Sequence, residues 1–478
     1  MVRVAFPPLD PARRAGARAA IAPLSARLGM AARTAPYLPL RADGDEPPGL
    51  PTLNLEDISE IPFVQDVPGI EAYQHRARVR AGDGDLFVAV TPAAPGYEAY
   101  CQGLLGLGRP EGIVARPDPD DLLAVASACL QPEVFGRLVE RAAEAGGLII
   151  HPYMAIEGVW TLARRLEEAA RAPVRVIGPP PPVLWLANDK NLLSETVAAI
   201  LGDTWLVETC EARTPEAMAD RLAWLATRHP RVGLKRTRCA SAMGNAVFDA
   251  GQVRAGALGL VWAFLDRTRW PEGEDVLAVA WEETDLSPST QLWIPAQGPP
   301  VVEGIYEQLL EGPEKVFLGS RPSTLPEAIN GALAEASQAV AEAFQAMGYV
   351  GRCSFDFIVV GDVHDRPRIL FTECNGRWGG TSTPMHLVDR LRGAPRPHYV
   401  AQDIMDPRLV GVTLGEILAR VGDEAYDART GRGRFVFYNV GPLANKGKLD
   451  VIALGETPDD AQEALKARLP ALLGLGPR

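Results

Sequence analysis

The spacing of hydrophobic and polar positions divides the chain into three stretches. In the first, residues 86–90 (Leu-Phe-Val-Ala-Val), 147–151 and 174–177 are short apolar runs of strand length. Between them, residues 96–107, 119–130, 132–145 and 156–171 repeat their apolar positions every three to four residues, as amphipathic helices do. Strands alternating with helices predict a parallel sheet with helices on both faces. Residues 1–60 give no comparable signal, because Pro7-Pro8 and Pro47-Pro48 break them into short pieces. Four consecutive prolines at 179–182 close the stretch as a stiff connector.

The second stretch opens on Asn188-Asp189-Lys190, from which a helix is expected to run to Leu201. Thr214, followed by Pro215 and Glu216, is a helix start, with the helix reaching about 228. Strands are predicted at 232–235, 247–249, 258–264, 276–281 and 290–294, a long helix at 326–347, and two further strands at 352–360 and 368–375. From about residue 396 a third stretch holds strands at 434–438 and 449–454. A last helix starts at Thr457, with Pro458 and Asp460 in its first turn. No fixed-period repeat is present.

Composition narrows the function classes. The 478 residues carry a formal net charge of -12, which argues against a nucleic-acid surface. The longest apolar run, Ala255–Leu265, has 11 residues, against roughly 20 for a membrane span. Arg13, Arg14 and Arg18 are not followed by the apolar core of a secretory signal. A cytoplasmic protein without membrane or nucleic-acid partners is expected. Cys101, Cys129, Cys210, Cys239, Cys353 and Cys374 form no CxxC and no metal-type pair, and no HExxH occurs. Buried free thiols in a reducing compartment follow.

Candidate chemistry concentrates in Phe371-Thr-Glu373-Cys-Asn375-Gly-Arg377-Trp-Gly379-Gly380. On a strand Glu373 and Asn375 face the same way, and Cys374 faces the core. A hairpin closed symmetrically around 364–365 would set Asp356 opposite Glu373, 358 opposite 371 and 360 opposite 369. Asp356, Glu373 and Asn375 then share one face, and two adjoining carboxylates need a counter-charge. Mg²⁺ bridging nucleotide phosphates supplies one; groups simply facing solvent would need none. Lys235 ends an apolar strand and can reach a phosphate, while the amides of Ser241 to Asn245, Gly244 among them, can cover phosphate oxygens. Lys190 heads a helix. Glu282 and Glu283 end another strand before Ser287-Pro-Ser289, a segment suited to a hinge that reads an adenine edge.

The order of these parts over roughly 187–390 resembles the ATP-grasp superfamily. Met243-Gly-Asn-Ala-Val, Ser287-Pro-Ser-Thr-Gln291, Arg377-Trp-Gly-Gly-Thr381 and 434–463 are similar to the pheganomycin-type peptide ligases within it. Glu71-Ala-Tyr-Gln-His-Arg76 fits a helix start in that family's first domain. The resemblance implies an α/β (α+β) protein: a Rossmann-like pre-ATP-grasp domain over 1–186, an ATP-grasp domain over 187–395 with a lid over about 187–283, and a small C-terminal α+β domain over 396–478. It implies Lys190 and Lys235 on ATP phosphates, the 239–245 loop over the β- and γ-phosphates, and Glu282 and Glu283 at the adenine hinge. Asp356, Glu373 and Asn375 would hold two Mg²⁺ ions, for which Mn²⁺ can substitute. Arg377 and the Gly379-Gly380 amides would stabilise transferred charge. The family's ribose acid falls here at Ser289, and where an arginine often precedes the metal-binding Asp this chain has Ser354, with Arg352 further back. The implied activity is ADP-forming ligation of a small-molecule or peptide carboxylate to an amine through an acyl phosphate, in peptide or natural-product biosynthesis, by a homodimer. The alternatives are a carboxylase or phosphotransferase built on the same ATP site, although no Met-Lys-Met biotinyl segment occurs, and a non-catalytic nucleotide-binding relative.

Overall fold

The computed structural model describes residues 6–44, 46–116, 122–239, 242–393 and 395–476. Near its start lies a five-stranded sheet of β1 (Thr52–Leu55), β2 (Leu86–Ala89), β3 (Glu111–Val114), β4 (Leu148–Pro152) and β5 (Val174–Val176). The order is β3-β2-β1-β4-β5, and every pairing is parallel. Val159, Leu162, Ala163 and Leu166 bury one stripe of the helix Glu157–Ala170, as the helical period requires. The central strand β1 lies in the part of the sequence that carries no periodic signal. It has only four residues, Thr-Leu-Asn-Leu, three of them buried. A parallel strand covered on both sides does not alternate.

The N-terminal helix Pro11–Arg27 packs on the helix Glu327–Ala346. Arg14 and Arg18 both bind the buried Glu342 there, Arg18 at 2.8 Å. The expected proline connector is instead the start of a helix, Pro181–Ala187. Pro181 and Pro182 fill its first turn, where no N–H is needed. The next helix, Lys190–Leu201, follows at once, with the Asp189 carboxylate accepting from the Asn191 and Leu192 amides.

A four-stranded antiparallel sheet comes next, of β6 (Thr209–Ala212), β7 (Arg231–Arg236), β8 (Asn245–Asp249) and β9 (Val276–Ala280), in the order β6-β9-β7-β8. The strand expected at 258–264 is part of a helix, Ala250–Arg267. The apolar run there hides the period: Val253, Val261, Phe264 and Leu265 are buried, whereas Leu258 and Trp262 are exposed. Asp249 and Gln252 form the capping box that starts this helix.

The largest sheet has eight strands: β10 (Pro288–Ile294), β11 (Val301–Glu311), β12 (Val316–Pro322), β13 (Gly351–Val360), β14 (Arg368–Asn375), β15 (His398–Met405), β16 (Phe435–Asn439) and β17 (Lys448–Gly455). Its order is β14-β13-β10-β11-β12-β15-β17-β16. Strands β11 and β12 carry no clean alternation, because much of their length is only half-buried. Strand β15 pairs with β12 through Gly319–Gln402 and Ser320–Ala401, so the C-terminal strands extend this sheet. The last helix begins as expected, Thr457 Oγ1 accepting from the Asp460 amide at 3.1 Å. Among the described residues no helix is long and apolar enough to cross a membrane.

The hairpin register places Asp356 opposite Glu373 and Ser354 opposite Asn375. A bulge after Asp356 then shifts the ladder by one, pairing Phe357 with Phe371 and Ile358 with Leu370. The expected pairing of 358 with 371 and 360 with 369 fails for that reason, since a bulge adds a residue on one strand.

Candidate active site

A cleft of about 750 Å³ opens where the four-stranded sheet, the eight-stranded sheet and the first sheet's loops meet. Lys235 reaches it from the end of β7, Asn245 from β8, and Ser289, Asp356, Glu373 and Asn375 from three adjoining strands of the large sheet. Lys190 comes from the first turn of its helix. Arg377, Gly379 and Gly380 follow β14 along the cleft wall.

The charges are tightly arranged. Lys190 Nζ lies 2.8 Å from Glu373 Oε2 and 3.6 Å from Cys239 Sγ. Asn375 Nδ2 donates to Asp356 Oδ2 at 3.0 Å. Burial, and then the neighbouring Glu373 charge, push Asp356 up to about 7. Burial also opposes the charge of Glu373, but Lys190 first, and then Lys235 and Arg377, hold its carboxyl below the usual carboxylate range. Burial disfavours the Lys190 ammonium, yet the Cys239 thiol and the Glu373 carboxylate hold its pKa above the ordinary lysine value. Lys235 lacks such a contact: burial, and then the Lys190 charge, lower it to about 8. Its ammonium rests 5.0 Å from the Trp281 ring centroid.

Two carboxylates and an amide, all oxygen donors, suit Mg²⁺, and burial together with the Glu373 charge opposite disfavours the Asp356 carboxylate until a cation joins them. Among the described residues no group of three or more His, Cys, Asp and Glu could hold a metal unaided. A cation here would therefore take its remaining ligands from water and phosphate, as Mg²⁺ commonly does.

Backbone approach explains three glycines. A Cβ on Gly376 would sit 2.7 Å from Asn188 Nδ2, and its amide donates to Asn188 Oδ1 at 3.1 Å. Asn188 thus ties the end of β14 to the head of the Lys190 helix. A Cβ on Gly380 would lie 2.5 Å from Phe317 Cε1, and one on Gly244 would lie 2.7 Å from Cys239 Cβ. At both positions a Cβ would force its neighbour to shift. Ser241 lies outside the described residues.

Other expected residues stand elsewhere. Glu282 lines the cleft but pairs with Arg368 at 2.8 Å. Glu283 is exposed and points to Arg231, 3.5 Å away. Arg352, expected at the transferred phosphoryl group, does not line the cleft; it forms a buried ion pair with Glu303, its guanidinium 4.4 Å from the Trp378 ring centroid. Arg352, Ser354 and Asp356 share a face of β13, but Arg352 lies two residues beyond Ser354, opposite Trp293 and past the end of the cleft. Ser289 lies directly opposite Asp356 and helps to hold its carboxylate.

Sequence reasoning misses the cleft's far end. Tyr73, Arg76 and Tyr153 line it from the first part of the chain, and Asp403, Lys448 and Asp450 from β15 and β17. The run 71–76 carries a family resemblance, yet nothing in its spacing points Arg76 toward the same cleft as Asp450.

The family model described as the pre ATP-grasp domain matches residues 74–168. Among solved structures, the chain is similar to carboxyaminoimidazole ribonucleotide synthase from Aspergillus clavatus complexed with ATP, at 12% identity and a TM-score of 0.53, over 89% of this chain and 98% of that one. It is also similar to N5-carboxyaminoimidazole ribonucleotide synthetase from Thermus thermophilus, at 17% identity and a TM-score of 0.50, over 88% and 98% of the two chains. Biotin carboxylase from Campylobacter jejuni, in its β,γ-ATP complex, aligns at 14% identity and a TM-score of 0.51, over 87% and 89%. No curated protein matches the sequence.

Proposed function

We propose that this protein, an ATP-grasp fold behind a pre-ATP-grasp domain, is an ADP-forming carboxylate–amine ligase. The observation that carries the reading is the convergence in one cleft of an acidic oxygen set, Asp356, Glu373 and Asn375, with Lys190, Lys235 and Arg377. Three cations facing a carboxylate pair suit a polyphosphate bound through Mg²⁺, and no nucleophilic side chain is required of the protein.

In this reading residues 1–186, 187–395 and 396–478 act as pre-ATP-grasp, ATP-grasp and C-terminal domains, and residues 187–283 form the lid. Asp356, Glu373 and Asn375 would hold Mg²⁺, which when bound neutralises phosphate oxygens. Lys190 and Lys235 bind the phosphates, and Asn245, with the loop before it, covers them. A substrate carboxylate oxygen attacks the γ-phosphorus. The bond from that phosphorus to the bridging oxygen breaks, giving an acyl phosphate and ADP. An amine then attacks the acyl carbon, a C–N bond forms, the C–O bond to phosphate breaks, and the amine's proton leaves to water. Arg377 and the Gly379 and Gly380 backbone stabilise the charge that develops in both steps. Catalysis of this kind is positioning and charge neutralisation. The finer assignment is to peptide or natural-product conjugation, on the similarity to pheganomycin-type ligases.

The test is an ADP- and phosphate-release screen with Mg²⁺-ATP against pools of amino acids, peptides and small carboxylic acids, with mass spectrometry of products. Turnover that needs both an acid and an amine, with a product one water lighter than their sum, is the expected result. AMP release overturns the acyl-phosphate route, and stimulation by bicarbonate in place of an acid turns the reading to a carboxylase.

A further inference from the structure

The cleft's far end carries two charged groups of opposite sign, neither of which is neutralised by its own neighbours. On one side Glu56, which is buried, pairs with Arg76 at 2.8 Å and Arg80 at 3.0 Å, leaving one net positive charge. Arg76 is held between the Tyr73 and Tyr153 rings, its guanidinium carbon 4.7 and 5.3 Å from their centroids, and its buried Nε has no partner. On the other side Asp403 and Asp450 face each other across β15 and β17. Lys448 pairs with Asp403 at 2.8 Å. Asp450 feels the Lys448 charge without an ion pair to it and accepts from the Asn439 amide, which donates to Oδ2 at 3.0 Å, while its buried Oδ1 has no hydrogen-bond partner. This side therefore keeps one net negative charge.

Arg76 and Asp450 are 6% exposed each, line the same cleft and attract one another, yet among the described residues no ion pair joins them. Arg76 Nε and Asp450 Oδ1, a buried donor and a buried acceptor without hydrogen-bond partners on residues that line one cavity, are costly unless a ligand completes them. Another guanidinium of the cleft, Arg377, sits 5.9 Å from the other partner of Arg76, the Tyr153 ring, so this end adjoins the residues proposed to handle phosphate.

We propose that this end is the acceptor subsite, and that it takes an amine bearing a nearby anionic group, a zwitterion, with its ammonium on Asp450 and its anion on Arg76. The inference rests on the ligase reading for the word acceptor, but the zwitterion preference belongs to the pocket itself. Simple amines lack a partner for Arg76, and simple acids lack one for Asp450. Burial raises Asp450 to about 6, which leaves it mostly ionised at pH 7. To become the nucleophile the ammonium passes one proton to the free Oδ1 of Asp450, which releases it to water, while Oδ2 keeps its hydrogen bond from Asn439.

The test is direct binding to the full chain with Mg²⁺-ADP present, by saturation-transfer NMR and thermal shift. The probes are a pool of free amino acids, the matching pool of amino-acid amides, and the matching pool of des-amino acids. Free amino acids are expected to bind and the other two pools are not. Asp450→Asn and Arg76→Lys should each weaken that binding about 10- to 100-fold, the size of one charge-assisted hydrogen bond. Asp450→Asn should leave Mg²⁺-ADP affinity within about twofold, which shows that the variant is folded. Equal binding of amides, or Asp450→Asn binding like the parent with nucleotide affinity intact, overturns the subsite. Loss of Mg²⁺-ADP binding by the parent chain itself would instead overturn the ligase reading.

Discussion

Replacing Glu303 by leucine isolates the buried ion pair on which the centre of the large sheet depends. The Arg352 and Glu303 side chains are 5% and 3% exposed, and Arg352 Nη2 donates to Glu303 Oε1 at 3.3 Å beside a shorter contact from Nη1. The guanidinium carbon lies 4.4 Å from the Trp378 ring centroid and 5.9 Å from that of Trp293, and its Nε has no partner. With the carboxylate gone, a full positive charge remains against two aromatic faces and little water. Breaking a buried pair from one side costs about 3–5 kcal/mol, whereas replacing both partners by apolar groups of similar volume is close to neutral. At about 2–4 °C per kcal/mol for a unit of this size, the single variant should melt about 6–20 °C lower. The double variant Glu303→Leu/Arg352→Met should recover most of that loss. Calorimetry gives the midpoints, with tryptophan fluorescence reporting the transition that contains Trp293 and Trp378. A single variant within about 2 °C of the parent, or a double variant no better than the single, refutes the reasoning. The cycle also separates two roles of Arg352, because a residue acting on a phosphoryl group would cost turnover without costing stability.

Three further outcomes follow from the same geometry. Glu373→Gln and Asn375→Ala should each lower ATP turnover by about 100-fold or more, the scale of losing one group that stabilises transition-state charge, with circular dichroism showing the parent's secondary structure; wild-type rates in either would remove these residues from the metal site. Gly244→Ala would place a Cβ 2.7 Å from Cys239 Cβ and 2.9 Å from Cys239 Sγ, so the loop before β8 must shift; if that loop covers phosphate as proposed, ATP affinity, by calorimetry, should fall on the order of tenfold, and Cys239→Gly in the same chain should restore part of it. Lys235 sits at about 8 because of burial and then the Lys190 charge, so the free protein loses that proton as pH rises through about 8. A phosphate beside it favours the charged form, and nucleotide binding near pH 8.5 should take up a proton; heats of binding independent of buffer ionisation would refute this.

How much of this is legible in the sequence depends on whether the signal is local. Glu373, Asn375 and Asp356 can be read because strand alternation and one hairpin count place them together, and the structure puts Asp356 opposite Glu373. The count fails two residues away, where a bulge that leaves no mark in the sequence shifts the ladder. Helices with capping residues, such as those starting at Thr214, Asp249 and Thr457, leave a mark before the first turn. The Asp249 mark is outweighed by the run Ala255–Leu265, which is apolar on both the buried and the exposed side. Strand β1 and strands β11, β12 and β15 are invisible for a different reason: short, fully covered or half-buried strands have no period to read. The charged far end of the cleft is the least legible part, because Arg76 and Asp450 are 374 positions apart and neither sits in a motif that names its chemistry. What brings them together is the pairing of β15 with β12, which carries the C-terminal strands back along the sheet that holds Asp356. The residues proposed to handle phosphate come from one continuous part of the chain and can be read as a pattern. The residues that would select the substrate come from its two ends and meet only through the fold, so their chemistry is visible only as unpaired charge in the folded protein.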